Sequence, residues 1–99
     1  MLVIAYGFTA RSSLFAIEQL RQQGKKVGML RLKTMWPFAD SVMKKIGAKA
    51  RKILVPEMNR GQVAEEVMKY VGSDVISYTQ TNGEIIPPAT ITEQIRRLL

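Results

Sequence analysis

Lys52 to Gln62, KILVPEMNRGQ, carries an apolar run straight into a cluster of polar side chains. An apolar run, Ile53, Leu54 and Val55, ends in Glu57, Asn59, Arg60, Gly61 and Gln62, and a helical pattern starts at once. A buried parallel strand delivers polar side chains to a sheet edge in this way, and ligands and partners of open α/β sheets gather at such carboxyl ends. The amides and the guanidinium suit hydrogen bonding better than proton transfer. Glu57 is the one carboxylate at that edge, and a paired acid and base needs a second group with a separated pKa. Glu57 therefore reads as an ion-pair or interface residue, with Arg11 or Arg60 as its partner, and not as a catalyst.

A second stretch, GFTARSS, sets Gly7, Thr9, Arg11, Ser12 and Ser13 at the start of a helix. Free N–H groups and the helix dipole favour an anion there, a phosphate or a carboxylate. The plainer reading is a capped helix whose arginine lies in solvent. No G-x-G-x-x-G and no G-K-[ST] ending is present to prefer the anion.

Composition narrows the chemistry further. The 99 residues contain neither Cys nor His, which removes disulfides, thiolate nucleophiles, iron–sulfur ligands, the usual zinc sites and the commonest general base. A chain of this length is one domain that buries roughly two thirds of its unfolded surface. Hydrophobic residues at 46% and charged residues at 23% fit a folded protein. The net charge of +7 raises nucleic acid as a partner. The cations are mostly scattered, with Lys44, Lys45, Lys49, Arg51 and Lys52 gathered around one helix and the next strand, so a solvated face or a surface for an acidic partner is preferred. No apolar run approaches the roughly 20 residues of a membrane span, and MLVIAYGF lacks a basic leader and a cleavage site, so a cytoplasmic location without membrane contact is expected.

The elements that hold these stretches follow from periodicity. Leu2 to Tyr6 reads as a strand, about Arg11 to Gln23 as a helix with Leu14, Ile17 and Leu20 recurring, and Lys26 to Leu32 as a second strand. Thr9, Ser12 and Ser13 are capable N-caps, and Gly24 is a helix stop. Trp36, Pro37 and Phe38 form an apolar loop cluster that either folds onto the core or anchors a partner. A short helix follows Asp40 or Ser41, with Val42, Met43, Ile46 and Ala50 on one face and Gly47 weakening it. Ile53 to Pro56 is the third strand. Val63, Val67 and Val71 mark a helix ending near Gly72, with Ala64 and Met68 beside that stripe. Met29, Met35, Met43, Met58 and Met68 read mostly as core filler. Val75 to Tyr78 is the fourth strand, Thr79 to Pro88 a loop with an Asn82-Gly83 turn, and Thr90 with Glu93 is spaced as a capping box for a last helix.

Strands alternating with helices predict an α/β fold, a three-layer α/β/α sandwich around a mainly parallel four-stranded sheet. The expected order, 2-1-3-4, has a switch point between strands 1 and 3, where Gly7 to Ser13 would face Glu57 to Gln62.

Taken together, V-I-A-Y-G (3–7), G-K-K-V-G-M-L-R-L (24–32), W-P-F (36–38), V-P-E-M-N-R-G-Q (55–62) and N-G-E-I-I-P-P-A-T-I (82–91) resemble the C-terminal domain of the alpha subunit of 2-oxoacid:ferredoxin oxidoreductases, the 2-oxoglutarate, pyruvate and branched-chain types. The resemblance spans nearly the whole chain, and Glu57, Asn59, Gly61 and Gln62 carry its most specific element. It implies a fold like the C-terminal domain of transketolase. The family fold usually has a further antiparallel strand before the first strand seen here, and a glycine pair where this chain has Asn82-Gly83. The first departure implies a fragment of a longer alpha subunit whose second strand is an open edge able to pair with another chain.

What the resemblance implies for function is a non-catalytic structural and assembly domain of an enzyme that oxidises a 2-oxoacid to acyl-coenzyme A. Its strand-end loops would pack on the catalytic domains and contribute to coenzyme A or substrate binding. Thiamine diphosphate and iron–sulfur clusters are expected elsewhere in the enzyme, with no cofactor held by this chain. The implied partners are the rest of the alpha subunit, the thiamine-binding beta subunit, ferredoxin through the whole enzyme, and an oligomer. A stand-alone anion or nucleotide binder using Gly7 to Ser13 is the alternative, and a basic nucleic-acid-binding module the third.

Overall fold

In the computed structural model, residues 1–32, 43–45, 49–58, 61–71, 74–81 and 84–99 are described. They form strand β1 (Leu2–Tyr6), helix α1 (Gly7–Gln22), β2 (Gly28–Leu32), β3 (Lys52–Glu57), α2 (Gln62–Met68), β4 (Asp74–Thr79) and α3 (Pro88–Leu98). All strand pairs are parallel and the order is β2-β1-β3-β4, as the periodicity predicts.

Strand alternation divides the apolar residues between two cores. Val3 and Leu54 face α1 and α3, packing with Ala16, Ile17, Leu20, Ile86, Ile91 and Ile95. Ile4, Ile53 and Val55 face the other way and pack with Val63, Ala64 and Val67 of α2 and with Met43. Continuous apolar runs such as LVIA and ILV are what a strand buried on both faces requires. The chain moves outward from β1 to β2 in one direction and from β3 to β4 in the other. Right-handed crossovers must then place α1 and α2 on opposite faces, as found.

Several local expectations are corrected. Helix α1 starts at Gly7 and not near Arg11, and its N-cap is Tyr6 with no side-chain cap. Gly7 enters at φ +58°, a left-handed conformation in which a Cβ is strained, so the helix can begin directly off the strand end. The inward face of α1 is Thr9, Ala10, Ser13, Ala16, Ile17 and Leu20. Leu14 and Phe15 are exposed instead. Thr90 and Glu93 do not form a capping box: α3 begins at Pro88, suited to a first helical position because its missing N–H would be unpaired there anyway, and Glu93 pairs with Arg97 at 3.0 Å. Met43 is buried, and Met29 and Met58 pack on the first core, but Met68 is half exposed because α2 turns it outward.

Gly24 does stop α1, its N–H donating to the Arg21 carbonyl while the Lys25 N–H donates to that of Leu20. Residues 43–45 are helical, within the segment expected to be helix. Trp36, Pro37, Phe38, Asp40, Ser41, Val42, Ile46, Gly47, Asn59, Arg60 and the Asn82-Gly83 turn lie outside the described residues, as does Met35.

Candidate functional site

The sheet divides at its carboxyl end. β1 pairs with β2 from Leu2↔Gly28 to Tyr6↔Leu32, and β3 with β4 from Lys52↔Asp74 to Glu57↔Thr79. Between β1 and β3 the register covers only Leu2↔Ile53 and Val3↔Leu54. Pro56, with no N–H to donate, lies just past the point where that ladder ends. The switch point is thus a real parting of two strand pairs, and its two lips are Tyr6–Gly7 and Pro56–Glu57.

Glu57 is completely buried. Its Oε1 accepts the Val63 N–H at 2.9 Å and its Oε2 the Ala64 N–H at 3.1 Å. These are two of the N–H groups that a helix start leaves without an intrahelical partner. The N-cap position is held by Gly61, which has no side chain to do this work. Glu57 does it from the preceding strand, where its negative charge also meets the positive end of the helix dipole. Gly61 makes the approach possible. Its φ of +87° turns the chain back over the strand end, and a Cβ there would meet Ser77 Oγ of β4 at 3.4 Å.

The expected ion pair of Glu57 with Arg11 is therefore overturned. Glu57 shares the face of Ile53 and Val55 with α2, whereas Arg11 lies on α1, on the opposite side of the sheet. The sheet itself separates them, and the described ion pairs are Lys69–Glu66 and Arg97–Glu93. An interface role for the Glu57 side chain is excluded in this chain by its complete burial. Tyr6, on the same face as Glu57, has its phenol pKa raised, first by burial and second by the Glu57 charge, so it stays a neutral hydroxyl. Gln62 is exposed at the first position of α2.

The first turns of α1 build a different feature. Thr9 and Ser13 turn inward and are buried, Ser13 Oγ without a hydrogen-bond partner among the described residues, so neither caps the helix nor offers itself to a ligand in solvent. Arg11 and Ser12 lie on the outer side. With Phe8 and Phe15 of α1, and Ile85 and Pro88 from the approach to α3, they line an open groove of about 420 Å³. Phe8 is 66% exposed, Phe15 56% and Ile85 52%, so the groove is an apolar surface facing water with one guanidinium in it. Such a surface can dock an apolar partner carrying a negative group. Among the described residues that line it, no carboxylate, imidazole or thiol is present.

Phe8, Phe15 and Ile85 escape a reading based on polar chemistry. A signal was present: Phe8, Arg11, Ser12 and Phe15 follow the i, i+3, i+4, i+7 spacing of one helical stripe. It becomes visible only once the helix is started at Gly7. Of the residues expected at the site, the structure brings Arg11 and Ser12 together in the groove. It commits Glu57 and Gly61 to the turn into α2, buries Thr9 and Ser13, and leaves Gln62 outside both.

Comparison with known proteins agrees with this architecture. Residues 1–91 match the family described as pyruvate:ferredoxin oxidoreductase core domain II. The chain is 36% identical over 94 residues to 2-oxoglutarate synthase subunit KorA of Methanocaldococcus jannaschii, covering 93% of this chain and 25% of the relative. It is 28% identical over 99 residues to ketoisovalerate oxidoreductase subunit VorB of Methanothermobacter thermautotrophicus, covering 99% of this chain and 28% of the relative. Among solved structures, a 2-oxoglutarate:ferredoxin oxidoreductase from Magnetococcus marinus, with 2-oxoglutarate, coenzyme A and succinyl-CoA bound, superimposes with a TM-score of 0.89 at 27% identity, covering 97% of this chain and 17% of that one. The chain spans about a quarter of the length of the curated relatives it matches.

Proposed function

From a chain that belongs to the pyruvate:ferredoxin oxidoreductase core domain II family, we propose a non-catalytic structural and assembly domain in the alpha subunit of a 2-oxoacid:ferredoxin oxidoreductase. In this reading the 99 residues are one domain of a longer cytoplasmic subunit, and the whole enzyme converts a 2-oxoacid to acyl-coenzyme A. Among the described residues no helix is long and apolar enough to cross a membrane. The partners are the remainder of the alpha subunit and the thiamine-binding beta subunit.

The exposed stripe of Phe8, Phe15 and Ile85 around Arg11 carries the proposal. Aromatic and arginine side chains are the residues that dominate buried interfaces, and in water this stripe leaves its apolar area unburied. Among the described strand-end residues the one carboxylate, Glu57, is meanwhile occupied as a helix cap and unavailable for acid or base work. The residues do not fit an iron–sulfur cluster, because the chain has no cysteine, and the described residues contain no cluster of potential metal ligands. In this reading thiamine diphosphate and the clusters belong to other parts of the enzyme. A contribution to coenzyme A binding would run through Arg11, whose guanidinium can pair with a phosphate beside the apolar wall of Phe8 and Phe15.

Two assays on the isolated chain test this reading. Ferredoxin reduction with a 2-oxoacid and coenzyme A should be absent, and turnover by the chain alone would overturn the non-catalytic role. An amide chemical-shift titration with coenzyme A should move Phe8 to Ser12 saturably if the groove takes part in ligand binding. Unmoved shifts would leave that groove as a protein interface only.

A further inference from the structure

Where α1 lies over the end of β2, two arginines from different elements meet. Met29 packs on the core beneath α1, and strand alternation sends Arg31, two residues on, to the same face, opposite Ala5 of β1. Arg11 comes to the same place from the early turns of α1. With Gly7 and Phe8, the two arginines line one open hollow of about 230 Å³. Both are exposed, and neither forms a hydrogen bond or an ion pair among the described residues. Arg21, also on this side, is held away by the bond from its Nε to the Val27 carbonyl at 2.8 Å. Among the described residues lining the hollow, none is a carboxylate. Glu18 lies about two helical turns along α1 from Arg11, Glu84 adjoins Ile85 of the larger groove, and Glu57 is on the opposite face with both oxygens given to α2.

We infer that this hollow binds a phosphate monoester. Two arginines that share one space with no carboxylate between them repel, and a dianion placed there turns the repulsion into attraction. A phosphate monoester offers three charged oxygens, enough to accept a two-bond fork from one arginine and a further bond from the other. A carboxylate has two, and suits a single fork. The start of α1 adds a favourable dipole, but water serves any helix start, and the arginine pair is what makes a site here. Phe8 lines both this hollow and the larger groove, so the organic part of the ligand lies against its ring while the phosphate sits between the arginines. The assembly role needs the exposed apolar stripe, whereas this site needs the two guanidiniums, so either can stand without the other.

The test is a titration of the whole 99-residue chain with phenyl phosphate, and in parallel with benzoate, at about pH 7.5 and about 0.1 M salt. Saturable amide shifts at Gly7, Phe8, Arg11 and Arg31 are expected with phenyl phosphate, and benzoate should bind at least about tenfold more weakly. Arg31→Gln should weaken phenyl phosphate about tenfold, and Arg31→Lys, which keeps the charge but loses the fork, about threefold. Arg51→Gln, the same loss of charge at the amino end of the sheet, should change it by less than about twofold. Both positions are exposed, and unchanged amide shifts away from the substitution verify that the fold is kept. Equal losses in Arg31→Gln and Arg51→Gln would reduce the effect to net charge and overturn the inference. Benzoate binding as tightly as phenyl phosphate would also overturn it, making the pair a holder of carboxylates, as would no saturable shift with phenyl phosphate up to about 10 mM.

Discussion

At the carboxyl end of the sheet one carboxylate, Glu57, is wholly buried and gives both oxygens to the first N–H groups of α2, whereas at the amino end Lys25, Lys26, Lys49 and Arg51 stand in solvent without an ion pair among the described residues. The burial of the first group makes its partners obligatory. A carboxylate taken out of water needs hydrogen bonds that replace its hydration, so Glu57 determines where α2 begins and how the chain turns at Gly61. Exposed cationic side chains carry no such requirement. They leave the fold nearly unaffected and remain available to a partner. The polar cluster that follows the apolar run of β3 thus pointed to the end where charge is used for architecture, while the scattered cations lie at the other end.

The largest effect that separates the two ends is expected from Glu57→Ala. It removes two charge-assisted hydrogen bonds and leaves the Val63 and Ala64 N–H groups unpaired, at a cost of about 3 kcal/mol, read as a lower midpoint in urea unfolding. A loss below about 0.5 kcal/mol would make Glu57 a surface-like charge and dissolve the contrast. At the amino end, Lys52→Ala should cost only about 0.5 kcal/mol in the same measurement, because its bond to the Leu98 carbonyl is exposed and a helix-end cation contributes little in water.

Tyr6 sharpens the comparison on a smaller scale. Its pKa in the folded chain is raised above the usual 10.0, first by burial and second by Glu57. The folded state therefore holds the proton more tightly than the unfolded state. That stabilising contribution is complete below pH 10.0 and is lost as pH rises from there through the folded value. Phenolate absorbance should show a late-titrating component from Tyr6, and Tyr6→Phe should remove that component and flatten the alkaline loss of stability. Loss of a component titrating at the ordinary 10.0 in Tyr6→Phe, with the late component retained, would show that burial and the Glu57 charge do not raise this phenol.

Strand positions were legible in the sequence because both faces of this sheet are buried, and runs such as LVIAY and ILV have few other stable arrangements. Strand order followed from alternating elements and right-handed crossovers. Helix starts were less legible. Hydroxyls at Thr9, Ser12 and Ser13 signal a cap locally, yet Gly7 lets the helix begin earlier and turns two of those hydroxyls into buried positions. Thr90 and Glu93 have the right spacing for a capping box, but the proline before them starts the helix first.

By itself the sequence determined the α/β architecture, the 2-1-3-4 order and the absence of thiol and imidazole chemistry, since these depend on residue type and on short-range periodicity. Only the tertiary structure decided what the polar residues do. Glu57 and Arg11 look like partners along the chain, but alternation places them on opposite faces of the sheet, and the packing of α2 gives the carboxylate a different pair of donors. Phe8, Phe15 and Ile85 become one surface, and Lys25, Lys26, Lys49 and Arg51 come to the amino end of the sheet from the segments before β2 and β3, because distant segments end at the same edge. Such convergence is a property of the folded chain and has no counterpart in local spacing.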